Sequence, residues 1–352
     1  MDAGCKRDGE EGFSLAGAKD ESAGAPLGAV EGAGQLPMCC CTITRAERLV
    51  SIVMASYNGE KFIGDQLSSF EGQDHHRWHL YVSDDGSTDA TRSIVTKFAA
   101  RRARRNEVRL VEGPRKGFVA NFLIALSRAP NADYFALSDQ DDIWEEGKLT
   151  RALSWFMKVQ PGLPALYCGR SRTADIEGRP VGLSTPFMRP PSFANSLVQN
   201  IGGGNTMVMN IAARDLIRQA GCEPDVVFHD WWIYQLVSGA GGMVFYDLHP
   251  SILYRQHGAN LIGDGTSLRS RLGRLNRMMK GEFQTWMERN LGALCQVRHL
   301  LTVENRVLLD EFVKLRQRSC FGRVVGIRRL GIERQTWVGN VSLGFAAVLG
   351  KL

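Results

Sequence analysis

Apolar and polar positions first fall into a regular order at Leu49. The run from Leu49 to Ala55 is short, β-branched and bounded by polar residues, and predicts a buried strand. Phe62, Ile63, Gln66, Leu67 and Phe70 follow at helical spacing. His79 to Ser83 predicts a second strand. Ile94, Val95 and Phe98 predict a second helix, with Ser87 or Thr88 placed to cap its first turn. Val108 to Val111 predicts a third strand, Gly117 to Ala129 a third helix, and Tyr134 to Ser138 a fourth strand.

Such alternation implies βαβ units, hence an α/β fold whose mostly parallel sheet is covered by helices on both faces. In open sheets of this kind ligands bind beyond the carboxyl ends of the strands. Three polar clusters stand at such ends: Ser56-Tyr57-Asn58, Asp84-Asp85-Gly86-Ser87 and Asp139-Gln140-Asp141-Asp142. The predicted topology brings all three to one rim. The second half is less regular. Thr206 to Asn210 and Met243 to Asp247 read as strands, and Asp230 to Val237 as a helix opened by His229 and Asp230. Beyond Gly265 the pattern turns helical and Arg-rich, ending in Trp337 to Leu349.

Composition changes the picture at the two ends. The first 47 residues are rich in Gly, Ala and Ser, too poor in branched and aromatic side chains to offset their ordering entropy, and are expected to be disordered. The net charge of +6 hides an asymmetry: residues 265–352 hold 16 Lys/Arg against 6 Asp/Glu, while residues 49–264 hold 22 against 23. Three regions are therefore expected: a tail over 1–47, a catalytic domain over 48–264 and a basic helical region over 265–352. The basic region reads either as the seat of an anionic partner or as a solvated helical surface. No apolar segment follows the mixed-charge start, and no unbroken apolar run reaches the roughly 20 residues of a bilayer span. A cytoplasmic location is expected. The eight cysteines form no CxxC pair and no zinc spacing, in keeping with reduced thiols.

The three rim clusters carry the candidate chemistry. Asp139, Asp141 and Asp142 repel one another unless a cation sits among them, and Mg2+ or Mn2+ takes such oxygen ligands together with phosphate oxygens. A cation there would neutralise a departing diphosphate. Asp84-Asp85-Gly86-Ser87 fits a plain turn, or a carboxylate accepting hydrogen bonds from a nucleobase or ribose. Tyr57 could stack on a base, and Lys116 and Asn121 flank the Gly117 turn where a phosphate or ribose could rest. His229-Asp230-Trp231-Trp232 suggests a sugar-sized aromatic pocket in which Asp230 takes a proton from an acceptor hydroxyl. Its plainer reading is an Asp capping the helix that starts there. Arg255 could neutralise phosphate and His257 could ligate the metal, with the Gly-rich stretch from Gly258 as a lid over the diphosphate.

Together these residues resemble the family 2 glycosyltransferases of the Rossmann-like GT-A fold, over about residues 48 to 264. The resemblance rests on Ser51 to Asn58, on Asp84 to Asp89 and on Ser138-Asp139-Gln140-Asp141-Asp142-Ile143-Trp144. The last run, with His229-Asp230-Trp231-Trp232 and Tyr254-Arg255-Gln256-His257-Gly258, is most similar to bacterial rhamnosyltransferase-type enzymes of surface polysaccharide assembly. The resemblance implies a nucleotide pocket of Ala55, Tyr57 and Asp85 with Asp84 beside it. It also implies a metal site centred on Asp141 with Asp139 and His257, and a base at Asp230, where His229 replaces the family's usual Glu. It further implies inverting transfer of one sugar from a nucleotide-diphosphate sugar donor to a saccharide or lipid-linked glycan acceptor. No nucleic-acid partner is expected. For a lipid-linked acceptor, the basic face and the Trp337, Val338, Val341, Leu343, Phe345, Val348 cluster would hold the enzyme on an anionic membrane; packing on the catalytic core, or a dimer interface, is the competing use.

Two other functions fit parts of this pattern. A sugar-nucleotide pyrophosphorylase would share sheet and metal but would carry a basic Gly-rich loop after the first strand, where this chain has Ser56-Tyr57-Asn58-Gly59. A non-catalytic binder of nucleotide sugar, membrane or nucleic acid would act through the basic tail, whose Arg residues lack an aromatic platform.

Overall fold

The computed structural model describes residues 47–257 and 282–352. The expected disorder of the N-terminal tail and the proposed lid from Gly258 lie outside the described residues. Seven strands form one sheet: β1 (Val50–Ser56), β2 (Trp78–Asp84), β3 (Val108–Glu112), β4 (Tyr134–Ser138), β6 (Ala165–Gly169), β9 (Val208–Asn210) and β10 (Met243–Asp247). Their order is β10-β6-β9-β4-β1-β2-β3. The half from β4 to β3 is parallel, whereas β9 runs antiparallel to both β4 and β6. The sheet is thus mixed at β9, where the sequence shows only a short apolar run. A smaller sheet, β5-β11-β7-β8, combines β5 (Ile143–Trp144), β7 (Arg172–Ala174), β8 (Pro180–Leu183) and β11 (Ile252–Arg255).

The sheet's apolar runs are continuous because both faces are covered. Along β1, Val50, Ile52 and Met54 face one cluster and Val53 and Ala55 the other. The first cluster is closed by α1 (Ile63–Glu71), α2 (Thr91–Arg102) and α4 (Lys148–Phe156). The second is closed by α3 (Phe118–Arg128), α5 (Phe193–Ser196), α6 (Ile211–Gln219) and α7 (His229–Gly239). Four further helices join that side: α8 (Glu282–Gln296), α9 (Val303–Arg316), α10 (Cys320–Arg329) and α11 (Trp337–Leu349). Their inward residues Met287, Leu291, Phe312, Leu343 and Ala347 belong to the same core as α7. Of the competing uses foreseen for the C-terminal cluster, packing on the core therefore holds for Leu343.

Candidate active site

β1, β2 and β4 are parallel neighbours, with Ser56 opposite Asp84 and Met54 opposite Ser138, so the chain leaves the sheet three times along one edge. Hydrogen bonds lace the three loops together. Gln140 makes the tightest link: its amide oxygen accepts from the Tyr57 N–H at 2.9 Å and its amide nitrogen donates to the Tyr57 carbonyl at 3.0 Å. Gly59 lies so close that a Cβ there would fall 2.2 Å from the Gln140 Oε1, which accounts for glycine at that position. Tyr57 itself is 58% exposed, while Ala55 is enclosed within β1.

Asp84 is buried and holds the turn. It accepts from the Ser56 hydroxyl and the Ser87 N–H, both at 3.0 Å, from the Ser87 hydroxyl at 2.5 Å and from Arg92 at 3.3 Å. Ser87 is thereby committed to Asp84 and Thr88 to Asn58, so neither caps α2. Asp89 instead accepts the Thr91 N–H at 3.0 Å. The Asp85 carboxylate accepts the N–H groups of Arg115 at 2.6 Å and Gly117 at 2.9 Å. Those residues carry positive φ angles of 57° and 85°, so the carboxylate stabilises a backbone that Arg115 adopts at some strain. Lys116 between them reaches out to Glu223 at 2.7 Å. Asn121 stands below the rim, buried, donating to the Ser83 carbonyl at 2.9 Å and accepting from the Ser83 hydroxyl at 2.5 Å.

Asp139, Asp141 and Asp142 each present a carboxylate oxygen within 4.8 Å of the others. Removal from water, then the charges of Asp142, Asp141 and Asp230, raises Asp139 well above the usual carboxylate range. Burial, then Asp141, pushes Asp142 up to about 7. A divalent cation would relieve that repulsion, and the donor set is the hard oxygen kind that Mg2+ and Mn2+ take. His257 Nε2 lies 2.9 Å from an Asp141 carboxylate oxygen, and its ring stacks on Phe62 at 4.8 Å.

Other candidates take structural places. Asp142 is fully buried, accepting from the Asn205 amide at 2.6 Å and the Arg255 N–H at 3.3 Å. Arg255 is buried as well. Its guanidinium donates to the carbonyls of Asp141 at 3.1 Å and Ile176 at 2.6 Å and to the Asp65 carboxylate at 2.8 Å, and lies over the Phe62 ring. Direct contact of Asp142 or Arg255 with a diphosphate or acceptor is therefore corrected: both brace the acidic loop from behind. Trp231 and Trp232 are corrected too. They are 4% and 0% exposed, and Trp231 Nε1 donates to the Ser196 carbonyl at 2.7 Å, so they are core rather than a sugar platform. Trp232→Ala is predicted to lower the unfolding free energy by about 3–5 kcal/mol, read from urea unfolding.

The N-cap position of α7 is Phe228, and Asp230 stands in the first turn, where it takes up the free Trp231 N–H, in part the capping role of the plainer reading. The Asp230 carboxylate reaches the Gly204 N–H at 3.1 Å and the Trp231 N–H at 2.7 Å, and burial pushes it up to about 6. Gly204, which donates to it, adjoins Asn205, which holds Asp142, so Asp230 lies beside the acidic cluster. His229 stacks on Phe122 at 4.1 Å, and burial pushes it down to about 3, so its ring is neutral. Gly204 and Asn205 were not foreseen, and Phe62, which packs against His257 and Arg255, was read only as an apolar helix position. The run Gly202-Gly203-Gly204-Asn205 was the visible signal, since a Cβ on Gly204 would fall 2.3 Å from His229 Nε2.

Residues 51–208 match the model described as Glycosyl transferase family 2. The chain is similar to the dTDP-rhamnosyl transferase RfbG of Shigella flexneri, 27% identical over 287 residues that make up 76% of this chain and 95% of that one. It is also 37% identical over 110 residues to the UDP-Glc:alpha-D-GlcNAc-diphosphoundecaprenol beta-1,3-glucosyltransferase WfgD of Escherichia coli, covering 31% of this chain and 42% of that protein. The family match spans β1 to β9 and includes the whole laced rim. With that rim, its acidic strand end and the seven-stranded sheet that carries them, residues 51–208 of this chain form a family 2 glycosyltransferase domain.

Proposed function

We propose that residues 48–264 form a catalytic domain that transfers one sugar, rhamnose or another hexose, with inversion. The donor is a dTDP- or UDP-sugar, and the acceptor is a hydroxyl of a saccharide or lipid-linked glycan in bacterial surface polysaccharide assembly. The reaction would take place at the cytosolic face of the membrane, with the basic region 265–352 as an appendage to the domain. The observation that supports this reading best is the acidic cluster and the Asp84-Asp85 turn at neighbouring parallel strand ends, with Asp230 linked to the cluster through Gly204 and Asn205. The names of RfbG and WfgD, one a dTDP-rhamnosyl and one a UDP-Glc enzyme, support the choice of donors.

Tyr57 and Asp85 would hold base and ribose, with Ala55 and Asp84 shaping the turn and Lys116 and Asn121 bordering the phosphate side. Asp139, Asp141 and His257 would hold Mg2+ or Mn2+, which when bound supplies positive charge for the leaving diphosphate. Asp230 accepts the acceptor's hydroxyl proton as that oxygen attacks the anomeric carbon. The bond from that carbon to the diphosphate oxygen breaks on the opposite face, its electron pair leaving with the phosphate. Among the described residues no helix is long and apolar enough to cross a membrane, and the Gln-x-x-Arg-Trp motif of processive family members does not occur.

Calorimetric titration with dTDP, UDP and GDP, with and without Mn2+, tests the reading. A pyrimidine nucleotide is expected to bind at least tenfold more tightly than GDP, and only with the metal. Equal binding of all three, or none, would overturn the donor assignment.

A further inference from the structure

α10 and α11 leave an apolar surface uncovered at the edge of the core. α11 carries no charged residue. Its inner face, Leu343, Ala346 and Ala347, is buried, while Trp337, Val341, Phe345 and Val348 follow one another on the outer face at 78%, 39%, 60% and 51% exposure. α10 packs beside it in the opposite direction: Arg323 in its first turn donates to the carbonyls of Ala347 and Val348 in the last turn of α11. On α10 the outward stripe is Phe321 and Val325, 77% and 47% exposed, with Arg318 one turn before them and Arg328 and Arg329 one turn after. These three arginines are exposed, and none has an ion-pair partner among the described residues. Glu333 is the single acidic residue between Gln317 and Leu352.

We propose that the α10–α11 hairpin is a docking surface for an anionic lipid bilayer, with Trp337, Phe345 and Phe321 entering the headgroup layer and Arg318, Arg328 and Arg329 meeting lipid phosphates. A charge-free helix face rimmed by unpaired arginines matches that partner in both polarity and sign. A second copy of the chain fits worse, because a symmetric pairing of this face would set the same arginines against one another. The surface is fixed to the candidate site rather than loosely attached. Arg334 donates to the Val198 carbonyl at 3.2 Å and Gln335 to the Gln199 side chain at 2.7 Å, and a few residues on, Gly204 presents its N–H to Asp230. Docking would thus set the Asp230 side of the site at a constant attitude to the membrane. The inference deepens the proposed lipid-linked acceptor, but its test requires no turnover.

The full chain is mixed with vesicles of phosphatidylcholine alone or with 30 mol% phosphatidylglycerol, a composition on the order of that of anionic leaflets, and binding is read by flotation. Binding is expected on the anionic vesicles, to fall at least tenfold without phosphatidylglycerol, and to fall at least tenfold in W337S/F345S. R328Q/R329Q is expected to weaken it severalfold and to flatten its salt dependence. Brominated lipid should quench tryptophan fluorescence in the wild type but not in W337F, which still binds; thermal unfolding confirms that each variant is folded. Equal binding by wild type and W337S/F345S would overturn the proposal. So would no vesicle binding together with a dimer, seen by sedimentation velocity, that W337S/F345S abolishes. Loss of vesicle binding with intact donor turnover would leave the transferase reading standing, and the converse would leave the docking surface standing.

Discussion

Asp141→Ala is expected to lower donor turnover about a thousandfold, the equivalent of about 4 kcal/mol of charge stabilisation withdrawn from the leaving diphosphate. Asp141 is the member of the acidic cluster that also faces His257, at 2.9 Å, so its loss should abolish calorimetric Mn2+ binding as well. Asp142→Asn offers the contrast. Asp142 is buried against Asn205 and the Arg255 N–H, so that change should lower donor turnover far less than Asp141→Ala does. An Asp141→Ala enzyme that kept full activity in chelator would remove the metal from the account.

Asp230→Asn is expected to lower turnover by about 10²–10⁴-fold, the usual range for removing a positioned general base. The pH profile makes the prediction specific. With the group at about 6 in the folded protein, the carboxylate is ionised and able to accept a proton above that pH. kcat/KM should therefore fall below about pH 6 in the wild type, and the Asn variant should lose the part of that fall that Asp230 contributes. Unfolding through this group cannot mimic the fall. An acid whose folded pKa lies above its unfolded value binds more protons when folded, so acidification between the ordinary 3.8 and about 6 favours the native state. By the same sign, charging Asp230 at neutral pH costs stability, and Asp230→Asn should be no less stable than the wild type at pH 7. A variant that lost activity because it unfolded would contradict this assignment.

The fold was legible where burial on both sheet faces made apolar runs continuous, as in β1, β2 and β4. It was illegible where elements are short or exposed: β8 is wholly exposed, and β7 has only three residues, too few to show a period. The rim was legible because parallel neighbours deliver their ends to one edge, and each end was polar. Individual roles were harder to read. α7 is buried all round, so its tryptophans carry no stripe that separates core from pocket. Arg255 looked like a phosphate ligand because nothing in a sequence shows that Asp65, Ile176 and the Asp141 carbonyl converge on its guanidinium. Ser87 looked like a helix cap because its competitor, Asp84, is buried only in the folded turn.

The central claim, sugar transfer at a metal held by the acidic rim, is tested most directly by nucleoside diphosphate release. The panel is dTDP-, UDP- and GDP-sugars, each with Mn2+ and again with chelator. Slow turnover of one dTDP- or UDP-sugar, abolished by chelator and restored by added metal, is the predicted result. Turnover that is indifferent to chelator, or no turnover of any donor in the presence of metal, would contradict it.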